Sequence, residues 1–387
     1  MKSSVLISII IGIFCATIPL TAGEQDKIAS SKSVLELPPV GSNSRNSEGS
    51  FVELKDGSLM YVYTRYNTKD WGDNADADLV ARYSHDGGST WTKEDAIVLK
   101  NEGVGNVMSA SLLRLQNGEI ALLYLKKIQI AKDYVMCMPM LKISKDEGKT
   151  WSKPIECISP RLAGYYVVNN DRLIQLKNGR LMFPAAFHRT HKTGIGIVYV
   201  YYSDDNGMTW NESQSIIQAN QAKTTSGLQE PGIVELSDGR LMLWARTDMK
   251  SQFKSFSNDN GLTWDTVATP AKEFPSPTSP LSMKRNPLDN SLVAVWNDKS
   301  TQRWNFPKPA KNSWDRTPLV MAFSHDDGKT WENHIAVETD NNAGFCYISM
   351  LFTKNNSLLL GYCCGGDKIF PIQASRIRKI DFQKSEN

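Results

Sequence analysis

Arginines, one tyrosine and a group of carboxylates are the side chains of this chain best suited to chemistry. A guanidinium group binds a carboxylate through two parallel hydrogen bonds and stays charged at any working pH. A phenol beside a carboxylate can act as a nucleophile, because the carboxylate takes its proton during attack. The candidates lie at the ends of short apolar segments: Arg45, Glu48, Arg65, Asp70, Asp73, Ser109, Lys126, Lys127, Asn170, Asp171, Arg172, His188, Glu230, Arg246, Asp248, Arg316 and Tyr347.

One phrase of eight residues recurs along the chain and predicts how these side chains are brought together. It reads S-x-D-x-G-x-T-W and begins at Ser84, Ser144, Ser203, Ser257 and Ser324. Its aspartate suits the capping of backbone N–H groups in a tight turn, and its glycine suits a positive φ. Repetition on this scale predicts stacked copies of one supersecondary unit.

A second, weaker repeat consists of an apolar strand, a tight polar turn and another apolar strand. Such turns between apolar strands are strong hairpin signals. Six hairpins, five of them followed by the eight-residue phrase, predict an all-β, six-bladed β-propeller with four antiparallel strands per blade. The sixth unit lacks an outer hairpin, so we expect residues 33–37 to complete it. The six turns are Asp56-Gly57, Asn117-Gly118, Asn178-Gly179, Asp238-Gly239, Asp289-Asn290 and Asn355-Asn356.

The two kinds of turn predict which face of the propeller carries the chemistry. In an antiparallel hairpin, the start of the first strand and the end of the second lie together, opposite the turn. All the turns therefore point to one face, and the charged candidates collect at the other. Charges this dense need partners or a ligand.

The eight-residue turns are Asp boxes, and over residues 40–365 the chain resembles the sialidase (neuraminidase) family. The resemblance implies a secreted, retaining exo-glycosidase that removes terminal α-linked sialic acid from a sialylated glycan. Two alternatives stay open: the same chemistry on another 2-keto sugar acid such as Kdo, and a non-catalytic carbohydrate-binding propeller. Binding alone needs no phenol beside a carboxylate, which argues against the second alternative.

The same resemblance implies roles for individual residues. Arg45, Arg246 and Arg316 match the three arginines that hold the substrate carboxylate, Tyr347 matches the nucleophile, and Glu230 matches its activating base. A phenol suits this reaction because the anomeric carbon already bears a carboxylate, which would repel an anionic Asp or Glu nucleophile.

The acid that protonates the leaving group comes, by the same resemblance, from the loop after the first blade's second strand. Counting forward from Arg65 favours Asp70, whereas counting back from the strand at 79–82 favours Asp73. We prefer Asp73, because strand anchors survive changes in loop length, and Asp70 remains the alternative. The aspartates of this loop do not have the alternating spacing of an EF-hand, so we expect no metal ion.

The first arginine departs from the family pattern. It usually lies in a Phe/Tyr-Arg-Ile-Pro motif, whereas residues 44–47 read Ser-Arg-Asn-Ser and residues 48–50 read Glu-Gly-Ser. The sugar subsite is therefore expected to differ. The candidates for reading that difference are Lys126, Asn170, Arg172 and His188. Arg65 is a further candidate for binding the substrate.

Bulk properties limit the partners and the compartment. The chain has 387 residues, with 44 basic residues against 41 acidic ones, and no basic block of the kind that binds nucleic acid. Residues 1–23 have a positive start, an apolar stretch and small residues before Glu24, as in a signal peptide. We therefore expect residues 24–387 to form one secreted or periplasmic domain, without a membrane span or a cofactor.

Cysteines after residue 23 allow two disulfide hypotheses. Cys137 and Cys157 are spaced to face each other across one hairpin, and Cys346 and Cys363 across another. Export permits disulfides, but free thiols are an equally open reading. Because Cys364 makes the count odd, at least one thiol stays unpaired.

Overall fold

The structure is a computed structural model that describes residues 28–102, 105–132, 134–188, 195–220, 223–366 and 369–383. The predicted signal peptide at 1–23 lies outside the described residues. Short 3-10 helices occur at Pro160–Leu162 and Lys311–Ser313, and nearly all other regular structure is strand. The strands are β1 (Ile28–Leu37), β2 (Asn46–Glu53), β3 (Leu59–Tyr66), β4 (Ala77–Ser84), β5 (Ala96–Leu99), β6 (Val107–Arg114), β7 (Ile120–Ala131), β8 (Tyr134–Ser144), β9 (Ile155–Glu156), β10 (Tyr165–Val167), β11 (Ile174–Gln175), β12 (Leu181–His188), β13 (Ile197–Ser203), β14 (Asn211–Glu212), β15 (Gln229–Glu235), β16 (Leu241–Arg246), β17 (Ser251–Ser257), β18 (Thr269–Pro275), β19 (Ser282–Arg285), β20 (Leu292–Trp296), β21 (Leu319–Ser324), β22 (Glu332–Glu338), β23 (Gly344–Thr353), β24 (Ser357–Gly366) and β25 (Ile369–Phe382).

These strands form antiparallel sheets, and the predicted all-β class is confirmed. Four sheets have four strands each, in the orders β2-β3-β4-β5, β15-β16-β17-β18, β19-β20-β21-β22 and β23-β24-β25-β1. A nine-stranded sheet contains β6 to β14, and its β8 and β10 are joined by one parallel pair, Tyr165 with Cys137.

The sheets are arranged in a ring, as in a β-propeller. Strand β2 packs against β6 on one side and β23 on the other, while β15 packs against β12 and β19, and β19 against β23. Strand β1 pairs with β25 as the outer strand of the last sheet. The expectation that residues 33–37 complete this sheet is therefore confirmed.

The hydrophobic core lies between neighbouring sheets. Trp244 of one sheet and Trp296 of the next belong to a single buried cluster, and each is at most 2% exposed. Burial of a large apolar side chain contributes about 1.5–3 kcal/mol. Because side chains cover both faces of each middle strand, the ends of these strands are held firmly in position.

The Asp-box turns are held by short-range hydrogen bonds. Asp86 accepts the backbone N–H of Thr90 at 2.9 Å and its hydroxyl at 2.6 Å, while the Ser84 hydroxyl accepts the Gly88 N–H at 2.9 Å. Equivalent bonds form at the other copies of the turn, around Asp146, Asp205, Asp259 and Asp326.

The two kinds of turn lie on the same face, as predicted. The inner turn of β2 and β3 is tied to the next Asp box, because Glu147 accepts the backbone N–H of Lys55 at 2.9 Å. Asp327 accepts the N–H of Ser237 in the same way at 3.1 Å. We call this the turn face, and the opposite end of the ring the cavity face.

Innermost strands carry a β-bulge with an unusual backbone at the cavity face. The pairing register shifts after Ser47 in β2, Met108 in β6, Gln229 in β15 and Cys346 in β23. A β-bulge inserts an extra residue and re-aims a side chain. Here the residue after each shift has a positive φ: Glu48 (49°), Ser109 (58°), Glu230 (47°) and Tyr347 (59°). Non-glycine residues in this region cost about 1–3 kcal/mol each, and such strain concentrates at functional sites.

Candidate active site

A polar cavity opens at the cavity face, with a volume of about 510 Å³. It is lined by the ends of strands from several sheets and by the loop between β3 and β4. Its ionisable lining residues are Glu48, Asp73, Lys127, Cys137, Tyr165, Tyr166, His188, Glu230, Arg246, Arg316 and Tyr347.

Tyr347 lies among one carboxylate and two arginines. Arg246 donates from Nη1 to Glu230 Oε2 at 2.7 Å, and the Arg316 guanidinium lies 5.2 Å from the centre of the Tyr347 ring. Burial, reinforced by the charge of Glu230, raises the pKa of Tyr347 well above its usual value, against the opposing effect of Arg316. The phenol is therefore neutral at working pH. Glu230 lies close enough for its charge to affect the ionisation of the phenol.

Backbone contacts hold Tyr347 in place. Asn170 donates from Nδ2 to the carbonyl of Tyr347 at 3.1 Å and to the carbonyl of Gly49 at 2.7 Å. Arg316 is held by the residue before Tyr347, because its Nη1 donates to Cys346 Sγ at 2.9 Å. A rigid backbone around the phenol favours a single productive orientation.

Arg45 lies behind the cavity wall, where carboxylates and a hydroxyl surround it. Its Nη1 donates to Asp73 Oδ1 at 2.6 Å, and its Nη2 donates to Ser47 Oγ at 3.0 Å and Glu48 Oε1 at 3.2 Å. Only 1% of its surface is exposed, whereas 61% of the Asp73 side chain is. Of the three arginines predicted to hold a carboxylate, Arg246 and Arg316 line the cavity and Arg45 does not.

Asp73 enters the cavity from a loop that is pinned at its backbone. Its carbonyl accepts hydrogen bonds from Lys127 Nζ at 2.7 Å and from Asn106 Nδ2 at 2.8 Å. Neighbouring protein atoms displace part of the water around Asp73 and so favour its neutral form, but the charges of Arg45 and Lys127 outweigh this effect and lower the pKa of Asp73 to about 2. Asp73 is therefore a carboxylate near neutral pH.

The alternative acid, Asp70, lies outside the cavity lining. Its Oδ1 accepts the backbone N–H of Gly72 at 2.9 Å, so it shapes the exposed part of the same loop. The count back from the β4 strand thus leads to the aspartate that faces the cavity.

The remaining predicted residues divide between the cavity and the scaffold. His188 lines the cavity, with Nε2 2.9 Å from Gln229 Oε1. Arg172 is buried and donates to the carbonyl of Leu281 at 2.8 Å, which ties two sheets together. Arg65 forms an ion pair with Asp95 at 3.1 Å beside a separate cavity of about 650 Å³. Of these three, the structure brings only His188 to the candidate site.

Several lining residues had no predicted role, among them Tyr165, Gln229 and Asn169. The Nδ2 of Asn169 is buried without a hydrogen-bond partner among the described residues. Tyr165 lies in β10, a three-residue strand that brings it to the cavity. No sequence repeat predicts the pairing of β10 with β8.

All five cysteines of the described chain are free and buried, so neither disulfide hypothesis describes this structure. Cys346 and Cys363 do face each other across β23 and β24, as their spacing predicts. Cys157 instead lies beside Pro139, because β9 pairs with β8 two residues further along than expected.

The described residues hold neither a cluster of metal-ligating side chains nor a long apolar helix. Within these ranges, no three His, Cys, Asp or Glu side chains converge as a metal site would require. In the same part of the chain, no helix has the length and apolar character needed to cross a bilayer.

Comparisons with known proteins agree with this architecture. The family described as "BNR repeat-like domain" matches residues 73–360, more than half of the chain. A curated sialidase from Bacteroides fragilis (strain YCH46) is 26% identical over 342 residues, which cover 80% of this chain and 58% of that relative.

Solved structures share the fold at low sequence identity. A protein of unknown function from Dyadobacter fermentans DSM 18053 superposes with a TM-score of 0.69 at 19% identity, covering 91% of this chain and all of that one. A leech intramolecular trans-sialidase, solved with 2,7-anhydro-Neu5Ac, gives a TM-score of 0.66 at 15% identity, covering 91% of this chain and 70% of that one. The resemblance read from the Asp boxes is thus confirmed: the curated relatives that the chain matches are named sialidases, and the chain belongs to the BNR repeat-like domain family.

Proposed function

We propose that the chain is a retaining exo-glycosidase that hydrolyses terminal α-linked sialic acid. One observation carries the proposal: Tyr347, Glu230, Arg246 and Arg316 meet at one wall of a cavity of about 510 Å³. The curated relatives that it matches are named sialidases. The chain spans little more than half of the Bacteroides relative's length, so the activity is assigned from the site's chemistry.

The two arginines hold the carboxylate of the sugar acid. Arg246 keeps its ion pair with Glu230, and Arg316 lies across the ring of Tyr347. A carboxylate bound between them places the adjacent anomeric carbon beside the phenol.

Tyr347 then attacks the anomeric carbon while Glu230 accepts the phenol proton. Asp73, once protonated, donates its proton to the glycosidic oxygen as that bond breaks, and a tyrosyl–sugar intermediate forms. In the second step Asp73 takes a proton from water, the water attacks the anomeric carbon, and Tyr347 leaves and regains its proton from Glu230. Two displacements give net retention.

We also infer that the propeller has six blades. Each four-stranded sheet makes one blade, and the nine-stranded sheet counts as two, because only the Tyr165–Cys137 pair joins its halves. Five of these blades then carry an Asp box.

Residues 1–23 support export of the mature chain, with the cavity open to solvent outside the cytoplasm.

The test is hydrolysis of a fluorogenic aryl sialoside by the purified chain from residue 24, followed by NMR to identify the released anomer. We expect turnover with initial release of the α-anomer, and none from the Tyr347→Phe protein. Hydrolysis of a Kdo glycoside and not of the sialoside would show that the substrate is another sugar acid. Binding without any turnover would show that the protein is a non-catalytic carbohydrate-binding propeller.

A further inference from the structure

The bulged strands single out Glu48. In β2, β15 and β23 the first residue after the register shift has a positive φ, and these residues are Glu48, Glu230 and Tyr347. Glu230 and Tyr347 carry the proposed chemistry. Glu48 has the same backbone geometry and lines the same cavity, yet the proposed reaction gives it no task.

Glu48 is held rigidly by two neighbours. Its Oε1 accepts a hydrogen bond from Arg45 Nη2 at 3.2 Å, and its Oε2 accepts one from the Ser109 hydroxyl. Ser109 is itself the left-handed residue of β6. Because each carboxylate oxygen has two lone pairs, both oxygens keep accepting capacity toward the cavity. Only 6% of Glu48 is exposed, and that surface belongs to the lining.

Charge is distributed unevenly around the cavity. Strand β2 packs between β6 and β23, whereas β15 packs against β12 and β19, so Glu48 and Arg246 approach from different sides of the ring. On one side of the cavity, two arginines outnumber one carboxylate, Glu230, and attract an anionic group. On the other side, Glu48 and Asp73 outnumber Lys127, so they repel an anionic group and accept hydrogen bonds. A sugar acid held by the two arginines therefore turns another part of its ring toward the Glu48 carboxylate.

We propose that Glu48 is a specificity-determining residue, which accepts a hydrogen bond from a hydroxyl or amide N–H of the sugar acid. Arg45 and Ser109 are the residues that position it. The first sheet thus reads a donor on the substrate through a carboxylate acceptor. This inference rests on the proposed function, since it takes the ligand to be a sugar acid.

The test measures binding, so it does not depend on turnover. The probe is the 2,3-dehydro derivative of sialic acid, with a series in which one hydroxyl at a time, or the amide, is replaced by hydrogen. Dissociation constants are measured by calorimetry for the wild-type, Glu48→Gln and Glu53→Gln proteins. Glu53 is a matched control on the same strand, where it pairs with Lys354 far from the cavity.

We expect Glu48→Gln to weaken binding of the parent probe by about 10- to 100-fold, the usual effect of losing a hydrogen bond to a charged group. For one member of the series, the two proteins should bind with nearly equal affinity, because the donor that Glu48 reads is missing. Glu53→Gln should match the wild type throughout.

Equal weakening across the whole series, or none, overturns the proposal and leaves Glu48 as a buried counter-ion of Arg45. If Glu48→Gln does not fold, Ser109→Ala replaces it, and a smaller loss with the same selectivity is expected; a uniform response again overturns the proposal. Failure of the wild type to bind any probe overturns the proposed function and this inference together, whereas wild-type binding with no Glu48 dependence overturns this inference alone.

Discussion

The turn face and the cavity face are built from the same strands but by different kinds of contact. In the Asp boxes of the turn face, partners are near in sequence: Asp86 binds Thr90, four residues away, and the same bonds recur from copy to copy. On the cavity face, partners are remote: Arg45 binds Asp73 across 28 residues, and Asn170 binds the backbone of Tyr347 across 177.

The same contrast holds for side-chain identity. The Asp boxes repeat one set of residues, whereas the left-handed positions of the inner strands carry Glu48, Ser109, Glu230 and Tyr347. A repeated backbone position with varied side chains can divide a reaction among blades. We therefore expect substitutions on the turn face to change stability with little effect on rate, and substitutions on the cavity face to do the reverse.

The largest effect is expected for Tyr347→Phe. Removing the hydroxyl removes the nucleophile, so turnover of an aryl sialoside should fall by about 10³-fold or more, while binding of a dehydro sugar acid stays within about tenfold. Thermal unfolding should change little, because the ring remains. Wild-type-like turnover by this protein would exclude Tyr347 as the nucleophile.

Next in size is Arg316→Ala. Losing a buried charged partner should weaken binding of a carboxylate ligand by about 2–4 kcal/mol, measured by calorimetry. The matched control is Arg180→Ala, which removes an arginine bound to Asp204 on the turn face. A methyl ester that binds the wild type as tightly as the free acid would argue against any carboxylate site.

The turn face was almost wholly predictable from sequence. The hydrogen bonds inside each Asp box lie within eight residues, so residue types and spacing determine them, as at Asp86 and Thr90. The ring closure by β1 was equally accessible, because only one unit lacked an outer strand.

The cavity face was predicted in part. The positions of Glu230, Arg246, Arg316 and Tyr347 followed from counting hairpins. The enclosure of Arg45 did not, because it depends on a bulge at Glu48 and on a loop that carries Asp73 back across 28 residues. Such contacts depend on tertiary geometry, and no local pattern encodes them.

Asp73 should control the pH dependence. Its pKa is lowered to about 2, since the charges of Arg45 and Lys127 outweigh the partial loss of hydration. A group with a lowered pKa is ionised above that value, and the reaction needs it protonated. Turnover of a natural disaccharide should therefore fall by about tenfold for each unit by which the pH rises above the pKa of Asp73.

Asp73→Asn should abolish this decrease of turnover with rising pH. It should reduce turnover of the disaccharide much more than turnover of an aryl sialoside, because an aryl leaving group departs largely without a proton. Asp70→Asn is the control, because it lies on the same loop outside the cavity. A leaving-group dependence at Asp70 and none at Asp73 would reverse the assignment, and none at either would remove the acid from this loop.

The smallest effect is expected on the turn face. Asp86→Ala removes four hydrogen bonds, from Ser84, Ser89 and Thr90, so it should lower the free energy of unfolding by about 1–2 kcal/mol and leave kcat unchanged. Although burial opposes it, the Thr90 and Ser84 bonds lower the pKa of Asp86 to about 2, below its usual 3.8. Their stabilisation is therefore fully present above pH 3.8 and is lost as the pH falls through about 2. Urea unfolding at pH 7 and pH 2 should show the wild type and Asp86→Ala differing at the first and converging at the second. A difference that persists at pH 2, or a kcat that falls with stability, would mean that the two faces are not separable as proposed.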